Sequence, residues 1–204
     1  MNPVFRNISN HAALGIWYVS DSIEVLYSQL EENAPDEIKK YHPNKKVEFL
    51  ASRILMRKLC GFLEVPYEGM WKDDCGKPYL LNNDHHISIS HSFPYVICML
   101  DKKHPCGIDI EAPKDKLLRI KHKFLSQTEQ DHVAQNVDLL CQYWCAKEAL
   151  YKLYGRKRLS FSKNINIKSV DKNILIGSIH TDGQSDEYKL VSELIGGYYL
   201  VYSI

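Results

Sequence analysis

The sequence predicts an α+β protein built from two similar halves, each with a sheet and packed helices. The chain has 204 residues, of which 45% are hydrophobic and 25% are charged, so it can bury a core without stabilising disulfides. Strand-like alternation and helical spacing occur in the order strand, helices, strands, and this order occurs twice. We place the division near residues 101–105, which gives halves of 1–103 and 104–204.

The N-terminal half begins with an apolar strand at 14–19, followed by helices. Asp21 precedes the first helix, and Glu24 three residues later completes a capping-box pattern. A short polar helix follows, and Asn44 then opens a longer one that Gly61 ends. This longer helix has a basic face, which we expect to be solvated unless an anion is held nearby. Its basic residues are Lys45, Lys46, Arg53, Arg57 and Lys58.

From Gly69 to residue 111 the pattern changes to short strands. Their predicted ranges are 69–72, 78–81, 86–90, 95–100 and 106–111. In the C-terminal half, helices are predicted at 126–133 and 138–154, and Gly155 ends the second. Four strands close the chain, with Asp182 and Gly183 as a turn between two of them. These strands are predicted at 165–170, 174–180, 188–194 and 198–204.

Charge and cysteine usage exclude several classes of protein. Lys and Arg total 26 against 25 Asp and Glu, so no overall charge attracts nucleic acid or an anionic membrane. No apolar run is long enough to span a bilayer. The six cysteines include no CxxC pair, which is typical of reduced thiols in a cytoplasmic protein. Cys141 and Cys145, with His85, His86 and His91 elsewhere, allow a metal site, but buried thiols and ordinary polar histidines fit the spacing better.

Two carboxylates lie two residues apart on the strand that begins near Gly107. Asp109 and Glu111 therefore point to the same face of this strand. We expect Ile108 and Ile110 on the opposite face, toward the core. The glycine would allow a ligand or a second backbone to approach closely.

A later helix carries Trp144, Glu148 and Lys152 at i, i+4 and i+8, roughly on one face. If this helix packs on the strand, the carboxylates of Asp109, Glu111 and Glu148 converge. Three oxygen ligands with room for water suit Mg²⁺. Spacing alone favours a simpler interpretation, with an exposed acidic edge and an ordinary i,i+4 ion pair.

Five short motifs occur in order between residues 76 and 152. They are Gly76-Lys77-Pro78, Ile89-Ser90-His91-Ser92, Gly107-Ile108-Asp109, Phe124-Leu125-Ser126-x-x-Glu129 and Trp144-Cys145-x-Lys147-Glu148-Ala149. Together they resemble the signature of the 4′-phosphopantetheinyl transferase superfamily. The resemblance is to its longer, two-half, surfactin-synthetase-activating type.

The resemblance implies an enzyme that transfers the 4′-phosphopantetheine arm of coenzyme A to a serine of an acyl or peptidyl carrier protein. It implies Mg²⁺ as cofactor, adenosine 3′,5′-bisphosphate as product, and an active site in the cleft between two similar halves. Carried over to matching positions, Asp109, Glu111 and Glu148 are the metal ligands. Glu148 is also the candidate base for the carrier serine, and Lys147 and Lys152 lie near the phosphates.

The resemblance also implies residues that bind coenzyme A in the first half. They are Lys46, Arg53, Lys77, Pro78, Ser90 and His91. Of these, Lys46 and Arg53, together with Lys40, are candidates for the 3′-phosphate. Glu48 stands close to the position where the family often has a basic residue, which is a departure from the family pattern.

Five cations within ten residues follow the Asp109 strand. They are Lys114, Lys116, Arg119, Lys121 and Lys123. They form either a solvated basic loop or, because carrier proteins of this family are acidic, a docking patch.

Two other functions stay open at this point. One is a Mg²⁺-dependent phosphohydrolase acting on a nucleotide-like substrate through the same carboxylates. The other is a non-catalytic homologue that binds carrier proteins. We expect a cytoplasmic monomer that binds neither nucleic acid nor membrane.

Overall fold

The structure is a computed structural model that describes residues 2–31, 34–155, 159–181 and 183–204. The chain divides into two compact units, Met1–Pro105 (unit 1) and Cys106–Ile204 (unit 2). Each unit contains helices packed against an antiparallel sheet, which confirms the predicted α+β class. Among the described residues, every helix is either too short or too polar to cross a membrane.

Unit 1 has a four-stranded antiparallel sheet in the order β1-β2-β6-β5 and a separate β3-β4 hairpin. Its elements are β1 (Val4–Asn7), β2 (Ala12–Tyr18), α1 (Ile23–Gln29), a 3₁₀ helix (Asp36–Lys40), α2 (Pro43–Phe62), β3 (Met70–Lys72), β4 (Pro78–Leu80), β5 (His86–Ser92) and β6 (Tyr95–Asp101). Helix α2 packs on β2 and β6. Leu50, Ile54 and Leu55 of its apolar stripe are buried, because residues at this spacing share one helix face.

The beginnings of the helices in unit 1 differ slightly from the prediction. The N-cap of α1 is Ser22, not Asp21, and its hydroxyl accepts a hydrogen bond from the backbone N–H of Val25. Helix α2 begins at Pro43, where a missing N–H costs nothing, and His42 is its N-cap. The short polar helix is a 3₁₀ helix.

Unit 2 has a five-stranded antiparallel sheet in the order β7-β11-β10-β9-β8. Its elements are β7 (Ile108–Glu111), α3 (Lys116–Phe124), α4 (Gln127–Val133), α5 (Val137–Tyr154), α6 (Phe161–Asn164), β8 (Ile165–Ser169), β9 (Ile174–Thr181), β10 (Gln184–Ile195) and β11 (Tyr198–Ser203). Helix α5 packs on β7 and β11. Gly155 ends it in the left-handed conformation, with φ of 100°, as predicted. Asp182 of the predicted turn lies outside the described residues.

The basic segment after β7 is a helix, so its interpretation as a loop was wrong. Leu117 and Phe124 of α3 are buried, and Ile120 is partly buried between them. These residues recur at i, i+3 and i+7, which places them on one helix face. The closely spaced cations masked this apolar stripe in the sequence.

Gly107 lies where the chain entering β7 passes close to α5. A Cβ atom at this position would lie 1.9 Å from the carbonyl oxygen of Ala149. Since that oxygen belongs to a helix backbone, it cannot rotate aside as a flexible side chain would.

We expect Gly107→Ala to lower the free energy of unfolding by about 1–3 kcal/mol or more, because helix and strand must separate. Gly61→Ala is the matched control, since nothing lies within 4 Å of a Cβ at Gly61. Gly61 lies in α2, so this change should raise stability by up to about 1 kcal/mol. Urea unfolding followed by circular dichroism measures the stability of both variants. Equal unfolding midpoints for Gly107→Ala and Gly61→Ala would contradict the close packing at Gly107.

Candidate active site

Asp109 lies on the face of the unit 2 sheet that α5 covers. In the β7–β11 register Asp109 is opposite Val201, a member of the apolar core beneath the helix. Only 5% of Asp109 is exposed. Ile108 and Ile110 are buried on the opposite face of the strand. Both faces of β7 are therefore buried, and the acidic face is the one against α5.

Lys152 of α5 forms a buried ion pair with Asp109. Its Nζ donates a hydrogen bond of 2.6 Å to Asp109 Oδ1 and one of 3.0 Å to the carbonyl oxygen of Ile108. Less than a tenth of either side chain is exposed. The second carboxylate oxygen, Oδ2, is also buried and accepts no hydrogen bond from the described residues. The pair thus holds a positive and a negative group at fixed positions beside the strand.

Two cysteines of α5 contact the backbone of β7 and β11. The Cys141 thiol donates to the carbonyl oxygen of Glu111 at 3.5 Å, and the Cys145 thiol donates to that of Tyr199, also at 3.5 Å. Burial, together with the Cys141 thiol and the Asp109 carboxylate, raises the pKa of Cys145 well above its ordinary value. The Cys145 thiol is therefore a protonated donor, and both thiols contact backbone carbonyl oxygens, which fits buried cysteines better than metal ligands.

Glu148 lies on α5 between two contacts that this helix makes with β7. Cys141 meets Glu111 on one side of Glu148, and Lys152 meets Asp109 on the other. Glu111 and Glu148 are half-buried. Helix α5 packs on β7, as this prediction requires. The convergence of the three carboxylates and their role as metal ligands stay predictions.

Lys147 faces the interior of unit 2. Its side chain has 0% exposure. Its Nζ donates to Glu129 Oε2 at 2.7 Å and to the carbonyl oxygens of Phe161 at 2.9 Å and Ile165 at 2.5 Å. Burial lowers the pKa of Lys147, and the carboxylate of Glu129 opposes this shift. Contact with a phosphate would require these hydrogen bonds to break.

The Gly-Lys-Pro motif forms the turn between β3 and β4. The backbone N–H of Lys77 donates to Asp73 Oδ1 at 2.8 Å, which fixes this turn. Lys77 Nζ lies 5.9 Å from the centroid of the Tyr79 ring, and Pro78 is buried. The Lys77 side chain is half-buried.

The Ser-His motif lies in β5. Ser90 is 6% exposed, while the His91 side chain is 47% exposed. His91 Nδ1 lies 3.2 Å from Oε2 of Glu48 on α2. Glu48, the departure from the family pattern, therefore has a specific partner. Sequence spacing carries no signal of this contact, because α2 and β5 are brought together only by the fold.

The other two predicted coenzyme A residues of unit 1 are on α2. Lys46 is half-buried near the beginning of the helix. The guanidinium carbon of Arg53 lies 3.6 Å from the centroid of the Phe49 ring, so a cation–π contact holds this side chain.

Most cations of α3 and of the segment just before it are exposed to solvent. Lys114, Lys116, Arg119 and Lys123 are exposed. The ammonium of Lys121 instead donates to the carbonyl oxygen of Ala134 at 2.6 Å. A pocket lies where α3, α5 and the end of β7 meet. It is lined by Glu111, Ala112, Lys114, Lys116, Leu117, Ile120 and Trp144. A predicted metal ligand and two of the exposed cations thus share one pocket.

Comparison with known proteins finds one superfamily that matches most of unit 2. The family model of the 4′-phosphopantetheinyl transferase superfamily matches residues 105–202, which include α5 and all of the five-stranded sheet except Ser203. A protein named 4′-phosphopantetheinyl transferase gsp, from Aneurinibacillus migulanus, is 31% identical over 158 residues, covering 73% of the chain and 65% of the relative. Residues 105–202 belong to the 4′-phosphopantetheinyl transferase superfamily.

Two further members of the superfamily match a shorter part of the chain. They are a 4′-phosphopantetheinyl transferase of Bacillus subtilis and the 4′-phosphopantetheinyl transferase Sfp of Bacillus subtilis strain 168. They are 38% and 40% identical over 87 residues, covering 40% of the chain and 38% of each relative. The chain thus aligns with less than two thirds of the length of these three relatives. The superfamily resemblance predicted from the motifs is confirmed.

Proposed function

We propose that this protein transfers the 4′-phosphopantetheine arm of coenzyme A to a serine of an acyl or peptidyl carrier protein. The main support for the proposal is that α5 packs on β7. This packing buries the ion pair between Lys152 of α5 and Asp109 of β7, the strand that also contains Glu111. The matched relatives bear the name of this transferase, which supports the same activity here.

In the proposed reaction the serine oxygen attacks the phosphorus attached to the pantetheine arm. The pyrophosphate bond breaks, and adenosine 3′,5′-bisphosphate leaves. Asp109, Glu111 and Glu148 would hold Mg²⁺, since three carboxylates are the oxygen donors that this ion prefers. When bound, the ion would neutralise charge on the pyrophosphate oxygens.

Two side chains of α5 have roles of their own in this proposal. Lys152, held by Asp109 and the Ile108 carbonyl, offers a fixed positive charge that offsets negative charge on the reacting phosphates. Glu148 accepts the serine proton, a role that competes with metal binding because a ligating carboxylate is a weaker base. To Lys147 we assign a structural role, because its ammonium is enclosed by three oxygen atoms.

Coenzyme A would bind through the residues of unit 1 that match the family motifs. His91 is held through Nδ1 by Glu48, and the doubly protonated ring would also donate from its other nitrogen to a phosphate. Lys77 lies in the turn that precedes β4, and Ser90 lies on β5. Lys46 and Arg53 are the cations of α2 proposed for the 3′-phosphate.

The exposed cations of α3 are proposed to dock the acidic carrier protein. Lys116→Glu combined with Arg119→Glu should raise the KM for the carrier at least about tenfold while the affinity for coenzyme A stays unchanged, because rim charges steer association. Lys168→Glu with Lys189→Glu is the matched control, since both lysines are exposed on the sheet of unit 2 and the net charge changes equally. Equal carrier KM values for the two double variants would exclude α3 as the docking surface.

The transfer itself is tested by the intact mass of an apo carrier protein after incubation with this protein, coenzyme A and Mg²⁺. We expect a gain of about 340 Da, the mass of one phosphopantetheine arm, which EDTA prevents. Cleavage of coenzyme A without a gain in carrier mass would favour a phosphohydrolase. Binding of coenzyme A with neither reaction would favour a non-catalytic carrier-binding protein.

We propose that the protein acts as a cytoplasmic monomer, and its mass in solution tests the oligomeric state.

A further inference from the structure

Three side chains with metal-ligating chemistry converge at the end of β6 in unit 1. They belong to His11, Asp101 and His104, and one candidate ligand atom from each lies within 4.8 Å of the others. His11 Nδ1 is 3.0 Å and His104 Nδ1 is 3.9 Å from Asp101 Oδ1. None of the three residues has a role in the proposed transfer.

The fold holds this cluster in place. Asp101 is the last residue of β6, which lies between β2 and β5 in the sheet. Asp101 is paired with Ala12 of β2. His11 directly precedes Ala12 and so lies beside Asp101. The backbone N–H groups of Lys103 and His104 donate to Asp101 Oδ1 at 2.8 and 3.0 Å. These bonds turn the chain after β6 back on itself and bring His104 to the carboxylate.

The donor chemistry selects a class of ion. Two imidazoles and one carboxylate suit Zn²⁺ and its transition-metal neighbours, whereas Mg²⁺ prefers oxygen ligands. The carboxylate is buried, but 28% of the His11 side chain and 65% of the His104 side chain are exposed. An ion would thus have three protein ligands and keep a position open to water.

The present separations are wider than those around a bound ion. Ligand atoms lie about 2.0–2.2 Å from Zn²⁺, so the three groups must move closer together. The exposed ring of His104 can do so by side-chain rotation, without movement of β6.

We infer that His11, Asp101 and His104 form a binding site for a divalent transition-metal ion of the zinc class. The site lies within unit 1 and uses none of the carboxylates of β7 and α5. The inference is therefore independent of the proposed function. A bound ion would tie His104, which precedes the boundary between the units by one residue, to the end of β6.

Calorimetric titration with Zn²⁺ tests the inference. The protein is the 204-residue chain without a histidine tag, cleared of metal with EDTA and then freed of EDTA. Cys75→Ser serves as the background, because Cys75 is an exposed thiol able to bind zinc itself. Excess Mg²⁺ is present throughout to occupy the proposed magnesium site. We expect one Zn²⁺ per chain, and an affinity that falls at least about tenfold in His11→Ala and in His104→Ala.

Two variants control for other sites on the protein. His122→Ala removes an exposed histidine of α3, and Asp109→Asn alters the proposed magnesium site. Both should bind Zn²⁺ as tightly as the background protein. Zn²⁺ should also raise the melting temperature of the background protein and not that of His104→Ala, because an ion that binds the folded state stabilises it.

Circular dichroism shows whether Asp109→Asn and the histidine variants fold. We expect the histidine variants to fold because both rings are partly exposed. A background protein that binds no Zn²⁺ would overturn the inference. Histidine variants that bind as tightly as the background protein would also overturn it. The cluster would then be only a hydrogen-bonded network around Asp101.

Discussion

Asp109→Asn is expected to lower kcat/KM for phosphopantetheine transfer by about 10²–10³-fold or more. The substitution removes the charge of a proposed metal ligand and of the carboxylate that holds Lys152 Nζ at 2.6 Å. Both the ion and the ammonium are proposed to face negative charge on the reacting phosphates, so both effects reduce the rate. Intact-mass analysis of the carrier protein over time measures the change.

The same substitution also affects stability. From the sequence alone, Asp109 is a charged ligand whose loss spares the fold. In the structure it is the partner of a buried ammonium, and breaking a buried ion pair on one side costs about 3–5 kcal/mol. Asparagine retains an oxygen that can accept from Lys152, so we expect it to cost less than alanine.

Activity and folding must therefore be measured together. The transfer assay is run at a temperature where unfolding curves show the variant to be folded. Asp138→Asn is the matched control, because Asp138 lies in the exposed first turn of α5 and accepts a hydrogen bond from Tyr199. It should retain activity close to that of the parent. A folded Asp109→Asn protein with full activity would refute the assignment of Asp109 to the metal site.

Glu129→Ala is expected to lower the free energy of unfolding by about 3–5 kcal/mol, the cost of leaving a buried charge without its partner. Glu129 accepts from Lys147 Nζ at 2.7 Å, from the backbone N–H of Ser126 at 2.7 Å and from that of Ile167 at 2.8 Å. Its carboxylate thus joins α4, α5 and β8. Alanine leaves the ammonium of Lys147 and two N–H groups without their acceptor.

A double variant separates the charge effect from the loss of packing. Glu129→Leu with Lys147→Met removes both charges and should be more stable than Glu129→Ala, because no buried charge is left unpaired. Asp131→Ala on the same helix is exposed, and we expect its effect to be within about 0.5 kcal/mol. Urea unfolding of the three proteins measures the differences. Equal stabilities of Glu129→Ala and Asp131→Ala would show that the buried pair contributes little.

The order of the short motifs predicted the family, and local periodicity predicted most of the helices and strands. Ser126 and Glu129 form a capping box at the start of α4, and Gly155 ends α5, because such signals act within a few residues. The helix α3 was not recognised because charged residues surround its few apolar ones. The strand β1 was not predicted, since four residues with mixed polarity carry little periodicity.

The sequence by itself determined which chemical groups share a face. A strand repeats every two residues, so Asp109 and Glu111 point the same way, and a helix repeats every 3.6, so Glu148 and Lys152 are neighbours. Only the tertiary structure decided the partners of these and other charges. Lys152 meets Asp109 across 43 residues of sequence, Lys147 meets Glu129 across 18, and His11 meets Asp101 across 90. Local spacing cannot specify such pairs, because they form only where packing of the apolar faces brings distant strands, helices and loops together.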